Sequence, residues 1–238
     1  MATVVLLGCS TSGKSSAVRR FQSMYGNGYG NQSEVIDTDA LVAADSEFNG
    51  HLYAMYLKFT RRSDNSAAQL YLELGERHLL KQLANKKEPV LIAAGPNIPL
   101  REPEWSNFLR VVNPICFYFR LTPKQLYEGL RRRRIRQGRR GLDLCPGFGC
   151  WDAGLATAFN QQSSNWEEIP SEQALPLIEQ YLAKVDPIYA SACHPEFIYE
   201  GESVKNDQAV QEELSRKFVS CLRWAPIVSP MAAAVSVR

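Results

Sequence analysis

The sequence predicts an α/β protein built on a doubly wound, five-stranded parallel sheet. Strand-length apolar runs recur five times, helical patterns separate them, and the first run ends in a glycine-containing loop that opens a helix. Strands that alternate with helices join through right-handed crossovers and pair in parallel. The 238 residues are 45% hydrophobic and 22% charged, with a formal net charge of +2. This composition is typical of a globular protein, and we expect one domain over residues 1–238.

Each strand is predicted from a short apolar run that is bounded by turn signals. The runs are TVVLL, which ends at Gly8; EVI, which leads into DTD at residues 37–39; EPVLIAAG; PICFYFRL; and EFIYEG near residue 197. The third and fourth runs are almost continuously apolar, as expected when helices cover both faces of a sheet. The first run is predicted to be a buried central strand.

Helical patterns follow the predicted strands. We expect a helix from Ser15 through SSAVRRFQSMY, a mixed helical stretch over residues 40–59 and a long helix over residues 67–84. Thr122 and Pro123 are typical of a helix start, and the last helix covers QAVQEELSRKFVSCL. Between residues 138 and 170 the periodicity is lost, which at this length is typical of a functional lid or of disorder.

The loop after the first strand fits the phosphate-binding pattern G-x-x-x-x-G-K-[ST], in the strand-and-helix context that this pattern requires. In such a loop, backbone N–H groups and the helix N-terminus hold phosphate oxygens. Lys14 is expected to reach the β and γ phosphates of a nucleotide, and the Ser15 hydroxyl to bind Mg²⁺. The predicted nucleotide-binding residues of this loop are Gly8, Ser10, Ser12, Gly13, Lys14, Ser15 and Ser16.

Two large classes of phosphate-loop protein are disfavoured. A GTPase switch needs an N-K-x-D element just after a late strand, whereas NKKE at residues 85–88 precedes a strand. A motor or transport ATPase usually carries a carboxylate at the end of a strand that follows the loop, and the run LIAAGPN ends in none.

The carboxylates Asp37 and Asp39 follow the second strand, where the C-terminal edge of a parallel sheet faces the ligand crevice. Strand alternation predicts that both side chains lie on the same side of the chain. One carboxylate can orient a metal ion and its waters, and the other can accept the proton of an attacking hydroxyl. The alternative is structural, with the pair forming a turn or a helix cap and Asp39 acting as an N-cap before ALVAAD.

Seven arginines lie between residues 131 and 140, a density at which a helix repels itself. Three interpretations stay open. In the first, the arginines belong to a lid, in which arginines stabilise charge on a γ-phosphate and stack on adenine. In the second, they form a nucleic-acid-binding surface, which the absence of interleaved aromatic residues and the nearly neutral chain disfavour. The third interpretation is a solvated helix face without a ligand. Arg139 and Arg140 lie nearest the expected lid hinge, between Gly138 and Gly141.

The six cysteines are scattered along the chain and are expected to be thiols of a reducing compartment. A metal site is the alternative, although its residues lack the C-x-x-C pair that is usual for such sites. It would use Cys145, Cys150, Cys193 and His194.

The N-terminal apolar run enters the phosphate loop directly and therefore does not resemble a cleaved signal. No apolar run approaches the length of a membrane span. We expect a cytoplasmic protein without a membrane partner, and the sequence leaves the oligomeric state open.

Four stretches of the sequence together resemble the shikimate kinase family of small-molecule kinases. They are the phosphate loop, the DTD at residues 37–39, YLELGERHLLKQLANKKEPVLIAAG before and within the third strand, and the arginine-rich helix. The segment DPIYASA at residues 186–192 is similar to the family's Pro-hydrophobic-Tyr segment.

The resemblance implies a kinase that uses ATP and Mg²⁺ and moves the γ-phosphoryl group to a hydroxyl. It implies an acceptor-binding insertion over residues 38–78 and a lid over residues 131–170. By the same resemblance, Asp37 lies by the metal, Asp39 binds and deprotonates the acceptor, and the turn at Gly95 presents backbone N–H groups to the acceptor. It also places an adenine-stacking arginine on the arginine-rich helix and an arginine of the lid on the transferred phosphate; which arginines these are stays open, and the candidates are Arg132, Arg136 and Arg140.

The departures from the family pattern lie on the acceptor side. The positions at which the family carries carboxylate-binding arginines hold Leu72 and Val185, and its triple glycine is Gly95-Pro96-Asn97. Arg61, with its neighbour Arg62, is a candidate replacement cation. We therefore expect a small-molecule hydroxyl acceptor, and whether it is shikimate stays open.

Two other functions stay open. One is a nucleoside, nucleotide or RNA-end kinase that uses the arginine cluster to hold its acceptor. The other is an ATP-binding regulatory or interaction protein whose catalysis is reduced and whose long lid binds a partner.

Overall fold

The structure is a computed structural model of the chain. It describes residues 3–25, 34–39, 65–86, 88–142 and 170–223. The helical stretch expected over residues 40–59 and most of the segment between residues 138 and 170 lie outside them.

The five predicted strands form one parallel sheet in the order β2-β3-β1-β4-β5. β1 lies in the centre and pairs with β3 on one side and β4 on the other, with Val5 opposite Ile92 and Cys116. This confirms the doubly wound α/β prediction. The strands are β1 (Thr3–Leu7), β2 (Glu34–Asp37), β3 (Val90–Ala93), β4 (Ile115–Arg120) and β5 (Ile198–Glu200).

Helices cover both faces of the sheet within the described part of the chain. They are α1 (Lys14–Tyr25), α2 (Asn65–Ala84), α3 (Glu104–Val112), α4 (Pro123–Leu142), α5 (Ser171–Ser191), α6 (Gly201–Asn206) and α7 (Gln208–Arg223). Single 3₁₀ turns lie at Ile98–Leu100 and Pro195–Phe197. The sequence reasoning identified α1, α2, α4 and α7, but it missed α3, α5 and α6.

The alternation of β1 divides the core into two layers. Val4 and Leu6 face one layer, in which α1 and α7 supply residues such as Phe21 and Phe218. Val5 and Leu7 face the other layer, which α2, α3 and α5 cover. All four strand side chains are at most 1% exposed. The central strand is therefore buried on both faces, as its apolar run predicts.

The start of α4 is fixed by a capping box. The Thr122 hydroxyl accepts a hydrogen bond from the Gln125 backbone N–H at 3.3 Å, and the Gln125 side chain accepts one from the Thr122 N–H at 2.8 Å. The helix then continues to Leu142 through Gly138 and Gly141. Gly138 therefore lies in the helix and Gly141 next to its last described residue, and the lid hinge between them stays a prediction.

In the described ranges, no helix is both long and apolar enough to cross a bilayer.

Candidate functional site

The phosphate loop joins β1 to α1 and requires glycine at two positions. Gly8 has φ 141° and Gly13 has φ 102°, values that L side chains rarely adopt. A Cβ at Gly8 would lie 2.6 Å from the Phe119 carbonyl oxygen, and one at Gly13 would lie 3.1 Å from Val204 Cγ1. The two glycines of the sequence pattern thus allow the loop to turn tightly against β4 and α6.

Lys14 lies across this loop. Its side chain is 9% exposed, and its ammonium donates hydrogen bonds to the carbonyl oxygens of Gly8 at 2.5 Å and Cys9 at 2.9 Å. The first turn of α1, with its outward N–H groups and the positive end of the helix dipole, lies at the same place. The loop therefore concentrates positive charge and N–H donors where an anion would bind.

Three hydroxyls of the loop are buried without a hydrogen-bond partner among the described residues. They belong to Ser10, Thr11 and Ser12. A buried hydroxyl that lacks a partner costs about 1–3 kcal/mol, and the oxygens of a phosphate chain would supply acceptors. Ser15, in contrast, is exposed on the first turn of α1, where its hydroxyl is accessible to a metal ion. The residues present therefore fit a Mg²⁺-bound polyphosphate.

Thr11 is a feature of the loop that the sequence reasoning did not identify. This β-branched residue has φ 68°, in the left-handed region that favours glycine. Its side chain lies against α4 at Gly129, where a Cβ would lie 2.4 Å from Thr11 Oγ1. The helix that leads into the predicted lid thus packs directly on the phosphate loop.

The two predicted carboxylates lie at the end of β2. The strand ends at Asp37, and the next two residues are helical, so strand alternation does not relate Asp37 to Asp39 as predicted. Asp37 Oδ1 accepts a hydrogen bond from the Asp39 backbone N–H at 3.1 Å. Asp37, rather than Asp39, therefore acts as the cap of this turn, because a carboxylate two residues upstream can satisfy the free amide.

Asp39 lies directly beside the turn that follows β3. A Cβ at Gly95 would lie 2.4 Å from Asp39 Oδ1, and the Gly95 backbone N–H donates a hydrogen bond to Thr38 Oγ1 at 2.7 Å. The structure thus brings together Asp39 and Gly95, both of which were predicted to contact an acceptor. Only glycine allows the carboxylate to approach the backbone this closely.

Asp37 lies on the side of the sheet that α1 covers. Val35 packs with the α1 and α7 layer, whereas Ile36 packs with the opposite layer, so Asp37 shares the side of Val35. β3 lies between β2 and β1, and two strand spacings separate the carboxylates from the loop by roughly 10 Å. Between the carboxylates and the loop, β3 ends in the small residues Ala93, Ala94 and Gly95.

The Gly95-Pro96-Asn97 turn is held by α5. Tyr189, which is fully buried, donates its hydroxyl to the Pro96 carbonyl oxygen at 2.5 Å. Val185, where the resemblance led us to expect an arginine, is 3% exposed and belongs to the core of this layer. The Pro-hydrophobic-Tyr segment therefore supports the Gly95-Pro96-Asn97 turn, which we call the acceptor turn because Gly95 is predicted to contact an acceptor.

A buried ion pair fixes the far end of the same turn. Glu76 of α2 accepts a hydrogen bond at 2.5 Å from Arg101 Nε, and Asn97 also hydrogen-bonds to Glu76. Burial raises the pKa of the Glu76 carboxyl by more than Arg101 and Asn97 lower it. Arg101 also lies 3.5 Å from Glu73. This polar cluster was not predicted, because nothing in the sequence pairs residues of α2 with the turn after β3.

The opposite end of the loop lies between α4 and α6. A Cβ at Gly201 would lie 2.8 Å from the Ser12 carbonyl oxygen, so the start of α6 also packs on the loop. Arg132 of α4 and Glu202 of α6 form an ion pair at 3.5 Å. Arg132, a candidate for the predicted contact with adenine, therefore lies at the end of the loop away from Asp37 and Asp39.

Several predicted residues are not placed by the structure. Arg61 lies outside the described residues, and Arg136 and Arg140 are described only as backbone of α4. Ser16 lies in the first turn of α1, where its hydroxyl accepts a hydrogen bond from Arg19 at 3.4 Å. The alternative metal site falls partly outside the described residues at Cys145 and Cys150, and within them no group of three or more metal-binding side chains occurs.

The sheet order and the glycine-dependent loop define an α/β protein of the phosphate-loop class. Among solved structures, the chain is similar to the shikimate kinase of Bacteroides thetaiotaomicron, with a TM-score of 0.58 and 18% identity over 94% of this chain and 99% of that one. It is also similar to the shikimate kinase of Acinetobacter baumannii in complex with shikimate, with a TM-score of 0.55 and 16% identity over 94% and 93% of the two chains.

No protein-family model matches the chain, and no curated protein sequence matches it. At 16–18% identity, the likeness to the solved structures shows the fold, which is that of shikimate kinases. The fold predicted from the resemblance is thereby confirmed.

Proposed function

We propose that the protein transfers the γ-phosphoryl group of ATP to a hydroxyl of a small molecule. The observation that carries this proposal is the arrangement of the site across β3. A phosphate loop with a buried lysine lies on one side, and Asp37 and Asp39 lie on the other, with only small residues between them. The likeness of the fold to shikimate kinases supports the same conclusion.

Each residue of this arrangement has a separate task. The loop amides and Lys14 would bind the phosphates, and Ser15 and Asp37 would hold Mg²⁺, which neutralises charge on the phosphates when it is bound. Asp39 would accept the proton of the acceptor hydroxyl, which makes the oxygen a better nucleophile. Arg132 is the described residue best placed for the nucleoside, while Arg136 and Arg140 remain predictions.

The acceptor proposed here is a molecule other than shikimate. Among the described residues, Val185 is buried in the core, and the charge of Arg101 is balanced by Glu76 and Glu73. Neither Val185 nor Arg101 therefore offers a guanidinium group, free of a neighbouring carboxylate, that could bind the carboxylate of an acceptor through two parallel hydrogen bonds. Arg61 remains a candidate cation for an acidic acceptor.

The test is ATP consumption by the purified protein with Mg²⁺ and a panel of acceptors. The panel contains shikimate, polyols, nucleosides and a polynucleotide with a free terminal hydroxyl, and Lys14→Ala serves as the blank. We expect a small-molecule hydroxyl compound other than shikimate to stimulate turnover. Stimulation by the polynucleotide alone, or ATP binding without turnover on any acceptor, would contradict the proposal.

A further inference from the structure

Two cysteines meet in the core layer beneath the acceptor turn. Cys116 lies on β4 and is 3% exposed. Cys193 lies just after the end of α5, is partly exposed and packs against the same core cluster. The two thiols share a hydrogen bond. Neither residue is used by the proposed phosphoryl transfer.

We propose that Cys116 and Cys193 form a reversible oxidation site, at which a peroxide or a small disulfide converts the thiol pair into a disulfide. With hydrogen peroxide, one thiol becomes a sulfenic acid and one water is released. The second thiol then attacks that sulfur, the S–S bond forms, and a second water leaves. With a small disulfide, two exchange steps oxidise the pair and reduce the reagent to two thiols.

The environments of the two thiols set the order of these steps. The hydrogen bond to Cys193 and burial together raise the pKa of Cys116, which keeps its thiolate scarce and its sulfur away from solvent. Cys193 is the more exposed of the two residues, so we expect a dissolved oxidant to reach its thiol rather than that of Cys116. Cys193 is therefore oxidised first, and Cys116 resolves it.

The backbone at Cys116 is held more firmly than the backbone at Cys193. Cys116 lies opposite Val5 in a strand that has partners on both sides. Cys193 lies in a turn, where its backbone N–H bonds to the Ala190 carbonyl oxygen at 3.1 Å. A disulfide needs the sulfurs to approach to about 2.05 Å, so the end of α5 is the part that shifts.

The shift reaches the acceptor turn through α5. Tyr189, one helical turn before Cys193, holds the Pro96 carbonyl oxygen, and Asp186 accepts a hydrogen bond from the Tyr118 hydroxyl. Tyr118 lies two residues from Cys116, on the same face of β4. Oxidation therefore changes the contacts that support residues 95–97.

The experiment is peptide mapping by mass spectrometry after oxidation of the full chain. The protein is treated with hydrogen peroxide or oxidised glutathione, its remaining thiols are alkylated in denaturant, and the digest is compared with a dithiothreitol-reduced sample. We expect a linked peptide pair that contains Cys116 and Cys193 and that dithiothreitol separates. Cys193→Ser should abolish the link, whereas Cys221→Ser, which changes a partly exposed cysteine on the other face of the sheet, should leave it unchanged.

Two outcomes would overturn the proposal. One is that Cys116 stays fully alkylatable in denaturant while Cys193 carries glutathione or a higher oxide. The other concerns the coupling to the acceptor turn, measured by hydrogen exchange: the oxidised and reduced proteins should differ in the exchange of the residue 95–101 amides by several-fold. Identical exchange there would show that the disulfide does not reach the turn.

Discussion

The phosphate loop contains a residue that opposes its own backbone conformation. Thr11 has φ 68°, which costs an ordinary L residue about 1–2 kcal/mol. Its hydroxyl is also buried without a hydrogen-bond partner among the described residues. Both energetic costs arise from the Thr11 side chain, which also lies in close contact with Gly129.

Thr11→Gly should therefore stabilise the protein. Glycine adopts positive φ without the steric penalty, and after its larger loss of chain entropy the gain should be about 1 kcal/mol. Urea unfolding with the change in midpoint measures this gain. Thr11→Ala removes the hydroxyl but keeps the Cβ, so it serves as the control and should gain less. A lower stability for the glycine variant would mean that the threonine side chain stabilises the loop.

At the scale of single residues, the sequence predicted the features that depend only on neighbouring residues. The two glycines and the lysine of the loop follow from the sequence because neighbouring residues form that geometry. The structural alternative for the carboxylate pair made Asp39 a helix cap, whereas the structure gives that role to Asp37, since residue 38, directly after the strand, is already helical. The Tyr189 bond to Pro96 and the Glu76–Arg101 pair join distant parts of the chain, and no local pattern encodes them.

Between elements, the close approach of α4 to the phosphate loop depends on one missing side chain. Gly129→Ala places a Cβ 2.4 Å from Thr11 Oγ1, and overpacking of this kind costs about 1–3 kcal/mol. We expect a lower unfolding free energy and weaker ATP binding, measured by urea unfolding and calorimetry.

The matched test of that contact is the double variant. With Thr11→Gly in the background, Gly129→Ala meets no threonine side chain, and most of its cost should disappear, which a double-mutant cycle reports as coupling. Additive costs would show that the alanine clashes with something other than Thr11.

The ion pair between α2 and the acceptor turn should make a large contribution to stability. Glu76→Leu leaves the buried Arg101 without its closest hydrogen-bond acceptor and counter-charge, and the loss of one partner of a buried pair costs about 3–5 kcal/mol. Chemical denaturation measures this loss. Replacing both residues, with Glu76→Leu and Arg101→Met, should recover most of it; a double variant as unstable as the single one would show that the charges themselves are needed.

The same carboxyl group predicts a pH dependence. Burial raises the pKa of Glu76 above its ordinary value of 4.5, so the folded protein holds a proton that the unfolded chain has lost. The contribution of Glu76 to stability should therefore fall as the pH rises from 4.5 through the folded-state pKa. Denaturation at a series of pH values should show this slope in the wild-type protein and not in Glu76→Gln. Parallel curves for the two proteins would contradict the assignment.

For the whole molecule, the sheet was predictable and part of its helical cover was not. Five apolar runs and their order along the chain were enough for a doubly wound parallel sheet, because few topologies bury such strands. α5 escaped prediction because Pro176 and Pro187 lie inside it, and proline usually ends a helix. α5 nevertheless supplies Tyr189 and the core beneath the acceptor turn, so missing it hid the reason why Val185 is apolar.

The proposed phosphoryl transfer gives the two sides of the site separate tasks. Lys14 and the loop would hold the nucleotide, and Asp39, which lies beside Gly95, would bind the acceptor. A change of Asp39 should therefore affect the transfer step without affecting ATP binding, whereas a change of Lys14 should affect binding itself.

The most direct measurement is transfer of label from γ-labelled ATP to the acceptor that the panel identifies, in wild type, Asp39→Asn and Lys14→Ala, with ATP affinity measured in parallel. We expect labelled acceptor from the wild type. For Asp39→Asn we expect unchanged ATP affinity and a rate lowered by about 10²–10⁴-fold, the usual contribution of a general base. Wild-type transfer by Asp39→Asn, or label released only as inorganic phosphate by every variant, would contradict the proposed phosphoryl transfer.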